Sequence, residues 1–179
     1  MKGLVTALTG IQATPTGKRT GKYLIFRLDG EDYGFPVLRV QEIIQLMVMT
    51  RVPRMPDFIR GVINLRGKVV PVIDLHARFG LPPVPVTSHT SIVVLQVQRE
   101  TGLLLSGVIV DEAMEVTEIS AEDIQPPPEF GARISTAFIA GVGRVNGQGM
   151  LLLNVDKILD QREWRSVENV LGEKEQAHE

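Results

Sequence analysis

The feature that most constrains this chain is that it is written twice. Phe58-Ile59-x-Gly61-Val62 recurs as Phe138-Ile139-x-Gly141-Val142, each copy running into a glycine turn and a second apolar strand. Upstream, Glu42 after Val40 is echoed by Glu112 after Val110. The offset drifts from about 70 to about 80 residues, which an insertion around Pro126-Pro127-Pro128 explains. A repeat of this length is one supersecondary unit, so the fold has to be a pair of like bodies and not one large sheet.

The local pattern within each copy is alternation. Strands over residues 23–28 and 31–37 flank Asp29-Gly30, a dipeptide that accepts the positive φ of a tight hairpin. A short turn of helix is expected over 38–46, then a strand over 47–52 stopped by Pro53 and Pro56. Strands over 62–65 and 69–75 are joined by Arg66-Gly67-Lys68, and Pro71 places the second at an edge or a bulge. In the second copy, strands over 91–97 and 103–110 flank Arg99-Glu100-Thr101-Gly102, and Ser120 to Asp123 resembles a capping box. Strands over 138–145 and 150–155 flank Asn146-Gly147.

Five or so short strands per copy suggest a small closed barrel each. About 60 to 70 residues is marginal for an independent core, so the two barrels should pack together. The expected organisation is a flexible leader over 1–22, a first barrel repeat over 23–81, and a proline-rich connector over 82–90. A second barrel repeat follows over 91–155, with strand exchange between barrels allowed. A C-terminal helix over 156–172 is capped by Gly172, and residues 173–179 form a disordered tail. The fold class is mainly β: two small five-stranded barrels with short helices and one C-terminal helix.

Composition narrows the chemistry. With 19 Lys and Arg against 21 Asp and Glu, the net charge is −2 and no global field exists to hold a polyanion. The charges are nevertheless sorted: residues 39–68 carry a local excess of +4, and residues 111–129 carry seven acids and no base. Such sorting suits partners of complementary sign, although any one charge can be an ordinary solvated side chain. The absence of cysteine excludes disulfides, thiol nucleophiles and cysteine metal sites, and fits a reducing cytoplasm. His76, His89 and His178 are scattered, and no metal or cofactor is expected. No apolar run is long enough for a membrane span, and the leader lacks the apolar block of a signal peptide.

Catalytic readings fail on spacing. Five residues separate Gly61 from Gly67 where a phosphate loop has four, and Val69 stands where Ser or Thr should bind magnesium. Gly141-Val-Gly143 lacks the third glycine of a dinucleotide fingerprint. Asp111 and Glu112 are adjacent and would face opposite ways on a strand. Asp74 is expected to cap the turn at 75–79, and His76 beside it has no nucleophile to serve. The chain is therefore read as a non-enzyme that binds other proteins. Asn64-Leu65-Arg66-Gly67 puts an Arg at a hairpin tip, with Glu42 at the end of the short helix in the same repeat. The pair is either a bidentate fork that fixes a docking rim or an intradomain salt bridge worth about 0–1 kcal/mol.

These same residues carry a specific resemblance. Val40-Gln41-Glu42-Ile43, followed by Phe58-Ile59-Arg60-Gly61-Val62-Ile63-Asn64-Leu65-Arg66-Gly67-Lys68 and the strand to Leu75, resembles the signature of the bacterial chemotaxis coupling protein family, CheW. The similarity runs in order from about Lys22 to Leu159. It implies two SH3-like barrels and a non-enzymatic adaptor that joins the cytoplasmic tips of methyl-accepting chemoreceptors to the histidine kinase CheA. It also implies that such adaptors help to assemble signalling arrays, possess contacts with other CheW-like chains in rings, and reach the membrane only through receptors. Carried over by position, Glu42 and Arg66 correspond to the family's paired acid and base, with Val40, Gly61, Asn64 and Leu65 in the receptor-facing region. No motif fixes the kinase contacts. The competing reading is a tandem-barrel nucleic-acid-binding module using residues 39–68, which the scarcity of aromatics disfavours.

Overall fold

The computed structural model describes residues 20–129 and 131–177. All of the expected leader before Thr20 lies outside them, and Gly21 and Lys22 already belong to the first strand. Eleven strands occur among the described residues: β1 (Gly21–Leu28), β2 (Glu31–Pro36), β3 (Val40–Gln45), β4 (Ile59–Leu65), β5 (Lys68–Asp74), β6 (Ser91–Arg99), β7 (Gly102–Val110), β8 (Glu112–Ile119), β9 (Ile124–Gln125), β10 (Ile139–Val145) and β11 (Gln148–Leu153). Two helices join them, α1 (Leu75–Phe79) and α2 (Gln161–Ala177).

One sheet has the order β8-β1-β2-β11-β10-β9 and the other β3-β6-β7-β5-β4. Each draws strands from both sequence copies. The crossovers are parallel, β11 beside β2 and β5 beside β7, and all other pairings are antiparallel. Gly34 and Gly107 sit at these two crossovers. A Cβ on either would lie 2.9 Å from a side-chain atom inside its barrel, of Leu152 in one and of Ile92 in the other. Small residues there let the exchanged strand fill the barrel.

The core is layered accordingly. Ile25, Ile119, Ile124, Met150 and Leu152 fill one barrel, and Ile63, Val70, Val72, Ile92 and Val94 fill the other. A larger cluster lies between them, with Phe26, Tyr33 and Phe35 from one sheet and Val93, Leu95 and Val108 from the other. Strands β1 and β6 are thus buried on both faces, and the two barrels form one body. Burying a single such side chain contributes about 1.5–3 kcal/mol, so the shared layer decides the packing.

Four expectations are corrected. Residues 38–46 are not helical: a 3₁₀ turn at Val37–Arg39 leads straight into β3. Its β-branched Val40, Ile43 and Ile44 favour a strand, and β6 supplies the ladder. No strand runs over 47–52, where only Thr50 bridges to Val62. Pro71 is not at an edge, because β5 lies between β4 and β7, but the bulge alternative stands: the β4–β5 register slips between Ile59 and Gly61, next to the Val62–Pro71 pair. The parallel ladder begins one residue later, at Val72, so the missing N–H costs nothing there. Finally, α2 opens at Gln161, five residues late, and runs through Gly172 to Ala177, so the expected tail is helical to that point. Asp160 accepts from the Glu163 amide while Glu163 accepts from the Asp160 amide, which makes the capping box that fixes the start. Good helix formers after Gly172 carry the helix onward. Strand β8 had no counterpart in the sequence reading.

Candidate protein-docking site

Glu42 and Arg66 are brought together by the two edge strands, β3 and β4, of the β3-β6-β7-β5-β4 barrel. Gln41 is an extra residue in β3, since Val40 faces Leu95 while Glu42 faces Val94. The bulge sends the two side chains to opposite faces. Val40 is half-buried against the layer between the barrels, and Glu42 turns toward the mouth of its own barrel. From the opposite edge, the β4–β5 turn presents Arg66. Its Nη1 donates to Glu42 Oε1 at 2.7 Å and its Nη2 to Oε2 at 2.9 Å, a two-point fork. This hydrogen bond, and then the Glu42 charge, raise the Arg66 pKa above its ordinary value. Arg66 is well exposed and Glu42 mostly covered.

The turn itself is informative. Arg66 has φ of 52° and Gly67 of 85°, and the matching turn of the other copy has Asn146 at 52° and Gly147 at 78°. Asn and Asp tolerate this left-handed region with least cost, and Asn146 obeys that preference where Arg66 does not. Asn64 helps to hold the turn, its Oδ1 accepting from the Gly67 amide at 3.0 Å. Leu65 is half-buried against the core of the same β3-β6-β7-β5-β4 barrel. Gly61 is buried beneath the 46–58 segment: a Cβ there would lie 2.4 Å from the Thr50 carbonyl oxygen. Of the six candidate residues, then, Arg66 and Asn64 are exposed, Glu42, Leu65 and Val40 are half-buried, and Gly61 supports the backbone.

At the Arg60 and Asp74 end of the β4–β5 hairpin, away from the Arg66 turn, runs a groove of about 250 Å³ that sequence reasoning missed. Leu46 and Met49 form one wall, and Pro83, Val84 and Val86 of the connector form the other. Met47, Val48, Val84 and Val86 are all exposed, Val48 almost completely at 94%. The expected strand over 47–52 hid the signal: Leu46-Met47-Val48-Met49 is an apolar stretch that no sheet takes up and that is therefore partly exposed. The floor is polar and internally paired. Arg60 Nε donates to Asp74 Oδ2 at 2.8 Å, and Asp74 Oδ1 caps α1 at the His76 and Ala77 amides, as the sequence suggested. The His76 ring touches Asp111. No group of three metal-capable side chains occurs among the described residues.

The CheW-like domain family matches residues 22–163. The "Chemotaxis protein CheW" of Klebsiella aerogenes is 37% identical over 155 residues, covering 86% of this chain and 91% of that protein. "Protein FrzA" of Myxococcus xanthus is 30% identical over 148 residues, 82% of this chain and 89% of that one. The crystal structure of the scaffolding protein TtCheW from Thermoanaerobacter tengcongensis superposes with a TM-score of 0.73 at 30% identity, covering 84% of this chain and 93% of that chain. Its two SH3-like barrels are the two sheets described above. With the family model matched over residues 22–163 and a relative 37% identical over most of both chains, the chain belongs to the CheW-like family.

Proposed function

We propose that this chain is a chemotaxis adaptor that couples chemoreceptors to the histidine kinase CheA and helps to assemble their arrays. The observation that carries the reading is the Glu42–Arg66 fork, built at a left-handed turn position in one copy and absent from the matching turn of the other. An exposed charge held there against backbone preference suits a docking rim. The groove, with apolar walls and its floor charges already paired, suits an amphipathic helical hairpin such as a receptor tip. One barrel end would pair with the matching end of the kinase regulatory domain. Contacts between like folds can close into rings with further CheW-like chains. Each contact would be about micromolar, with array multivalency supplying the rest. No helix among the described residues is long and apolar enough to cross a membrane, which suits a cytoplasmic adaptor recruited to membrane-associated receptors.

The nucleic-acid reading finds no support. Among the six cations of residues 39–68, Arg39 pairs with Asp156, Arg60 with Asp74 and Arg66 with Glu42. Half of the basic stretch is already paired with carboxylates of the same chain.

The test is co-elution with a CheA regulatory domain and, separately, with a receptor hairpin from the same genome. Arg66→Asp or Glu42→Lys should weaken receptor binding at least tenfold and leave kinase binding and the melting transition in place. A wild-type chain that binds neither partner at tens of micromolar would overturn the reading.

A further inference from the structure

His76 is a buried titratable side chain that the docking rim does not use. It lies 5% exposed at the start of α1, and its ring is held on both sides. Nδ1 is 2.7 Å from the carbonyl oxygen of Pro82, the first residue of the connector. Nε2 is 2.8 Å and 3.0 Å from the two carboxylate oxygens of Asp111, at the joint between β7 and β8. Asp111 in turn accepts from the Asp29 amide at 2.7 Å, so it is fixed by the other barrel. The Leu81 amide donates to the His76 carbonyl at 2.8 Å, which brings the chain back over the ring.

This arrangement has a geometric consequence. Residues 83–86 form one wall of the groove, yet that stretch has no strand or helix to hold it. Its anchor on the N-terminal side is the carbonyl of Pro82, and what grips that carbonyl is the His76 ring. We infer that His76 is a positioning residue for the groove: it ties the connector to Asp111 and so sets the spacing between Val84 and Val86 on one wall and Leu46 and Met49 on the other. The inference rests on the adaptor reading, in which an amphipathic receptor hairpin occupies this groove. His76 itself lies in the floor and makes its contribution through the wall.

Both partners of the ring, a carbonyl and a carboxylate, are acceptors, so a side chain at this place needs two donors. That requirement gives a test with an internal rescue. His76→Gln can donate from its amide nitrogen to Pro82, but it turns an amide oxygen on the Asp111 carboxylate. Asp111→Asn added to it supplies a donor to that oxygen and still offers an oxygen to the Asp29 amide. The expected result is that His76→Gln weakens binding of the receptor hairpin about fivefold, the equivalent of one hydrogen bond. The double variant should recover most of that loss, and neither should change binding of the kinase regulatory domain by more than about twofold on the same scale. Amide exchange at Leu81, which donates to the His76 carbonyl at the start of the connector, should accelerate in His76→Gln and slow again in the double variant.

Hairpin binding and connector exchange unchanged in His76→Gln would overturn the inference alone. Equal losses toward hairpin and kinase, without rescue, would show a general folding role and overturn it as well. A wild-type chain that binds the kinase domain but not the hairpin would remove the groove's occupant and take the inference down with that part of the adaptor reading.

Discussion

Phe58 and Phe138 stand at matching places in the two sequence copies and share one cation: the Arg78 guanidinium carbon lies 4.5 Å over one ring centre and 5.0 Å over the other. Arg78 comes from α1, and it also donates to the Ile158 carbonyl at 2.6 Å and to Glu163 of α2 at 2.8 Å. One largely buried side chain therefore joins both repeats to the C-terminal helix. Arg78→Ala removes two cation–π contacts and a charged hydrogen bond, and leaves Glu163 without its cation. The expected destabilisation is about 2–3 kcal/mol, read as a melting temperature lower by roughly 5–10 °C. Arg78→Met, which keeps the stem, should recover only a minor part.

Gly61 lies where the 46–58 segment crosses β4. Thr50 and Val62 exchange both backbone hydrogen bonds over it, at 2.9 Å and 2.8 Å. An alanine methyl at Gly61 cannot coexist with the Thr50 carbonyl 2.4 Å away, and the residue's positive φ adds strain. Gly61→Ala should cost about 1–3 kcal/mol and open the bridge. Faster amide exchange at Thr50 and Val62 together, with the β5–β7 ladder still protected, is the expected signature.

Legibility followed how far each signal depended on distant neighbours. The Asp29-Gly30 and Asn146-Gly147 hairpins were readable because their turn chemistry is local, and both have the expected left-handed pairs. The repeat was readable as identity, Phe58 with Phe138. The strand β3 was not, because Gln41 interrupts its alternation: with a bulge there, Val40 and Glu42 face opposite layers and the period of two is lost. Strand β8 is hidden for a related reason. Its Met114, Glu115 and Val116 are all exposed at a sheet edge, so no burial alternation marks it. Glu42 and Arg66 could be paired from sequence, whereas the groove needs the connector and the 46–58 segment to meet in space.

The fork poses a question of energy against recognition. Arg66 is exposed, so solvent screens the pair and its loss should barely move the melting temperature, by about 2 °C at most. Reversing the pair, with Glu42→Arg and Arg66→Glu together, should restore the fork while inverting the charge shown to a partner. Receptor binding that stays lost in this double variant would assign the pair to recognition. Recovery of binding would mean that the bridge mattered only as a strut between the barrel edges.

Tyr33 offers a prediction in pH. Its ring is fully buried beside Phe26 and Phe35, and its hydroxyl has no hydrogen-bond partner among the described residues. Burial first, and then the Glu31 carboxylate, raise its pKa above the ordinary 10.0. A phenol whose folded pKa is raised keeps its proton in the native state while the unfolded chain ionises. The stability it contributes is therefore intact below about pH 10 and falls as pH rises from there through the raised value. Absorbance at 295 nm should show Tyr33 ionising late, together with loss of the near-ultraviolet dichroism. Tyr33→Phe should abolish that late phase and shift alkaline unfolding to higher pH. At neutral pH it should be neutral to stabilising by up to about 1 kcal/mol, because it deletes a buried hydroxyl that has no partner to lose. A Tyr33→Phe protein that melts several degrees lower at pH 7 would mean that the hydroxyl is hydrogen-bonded in solution.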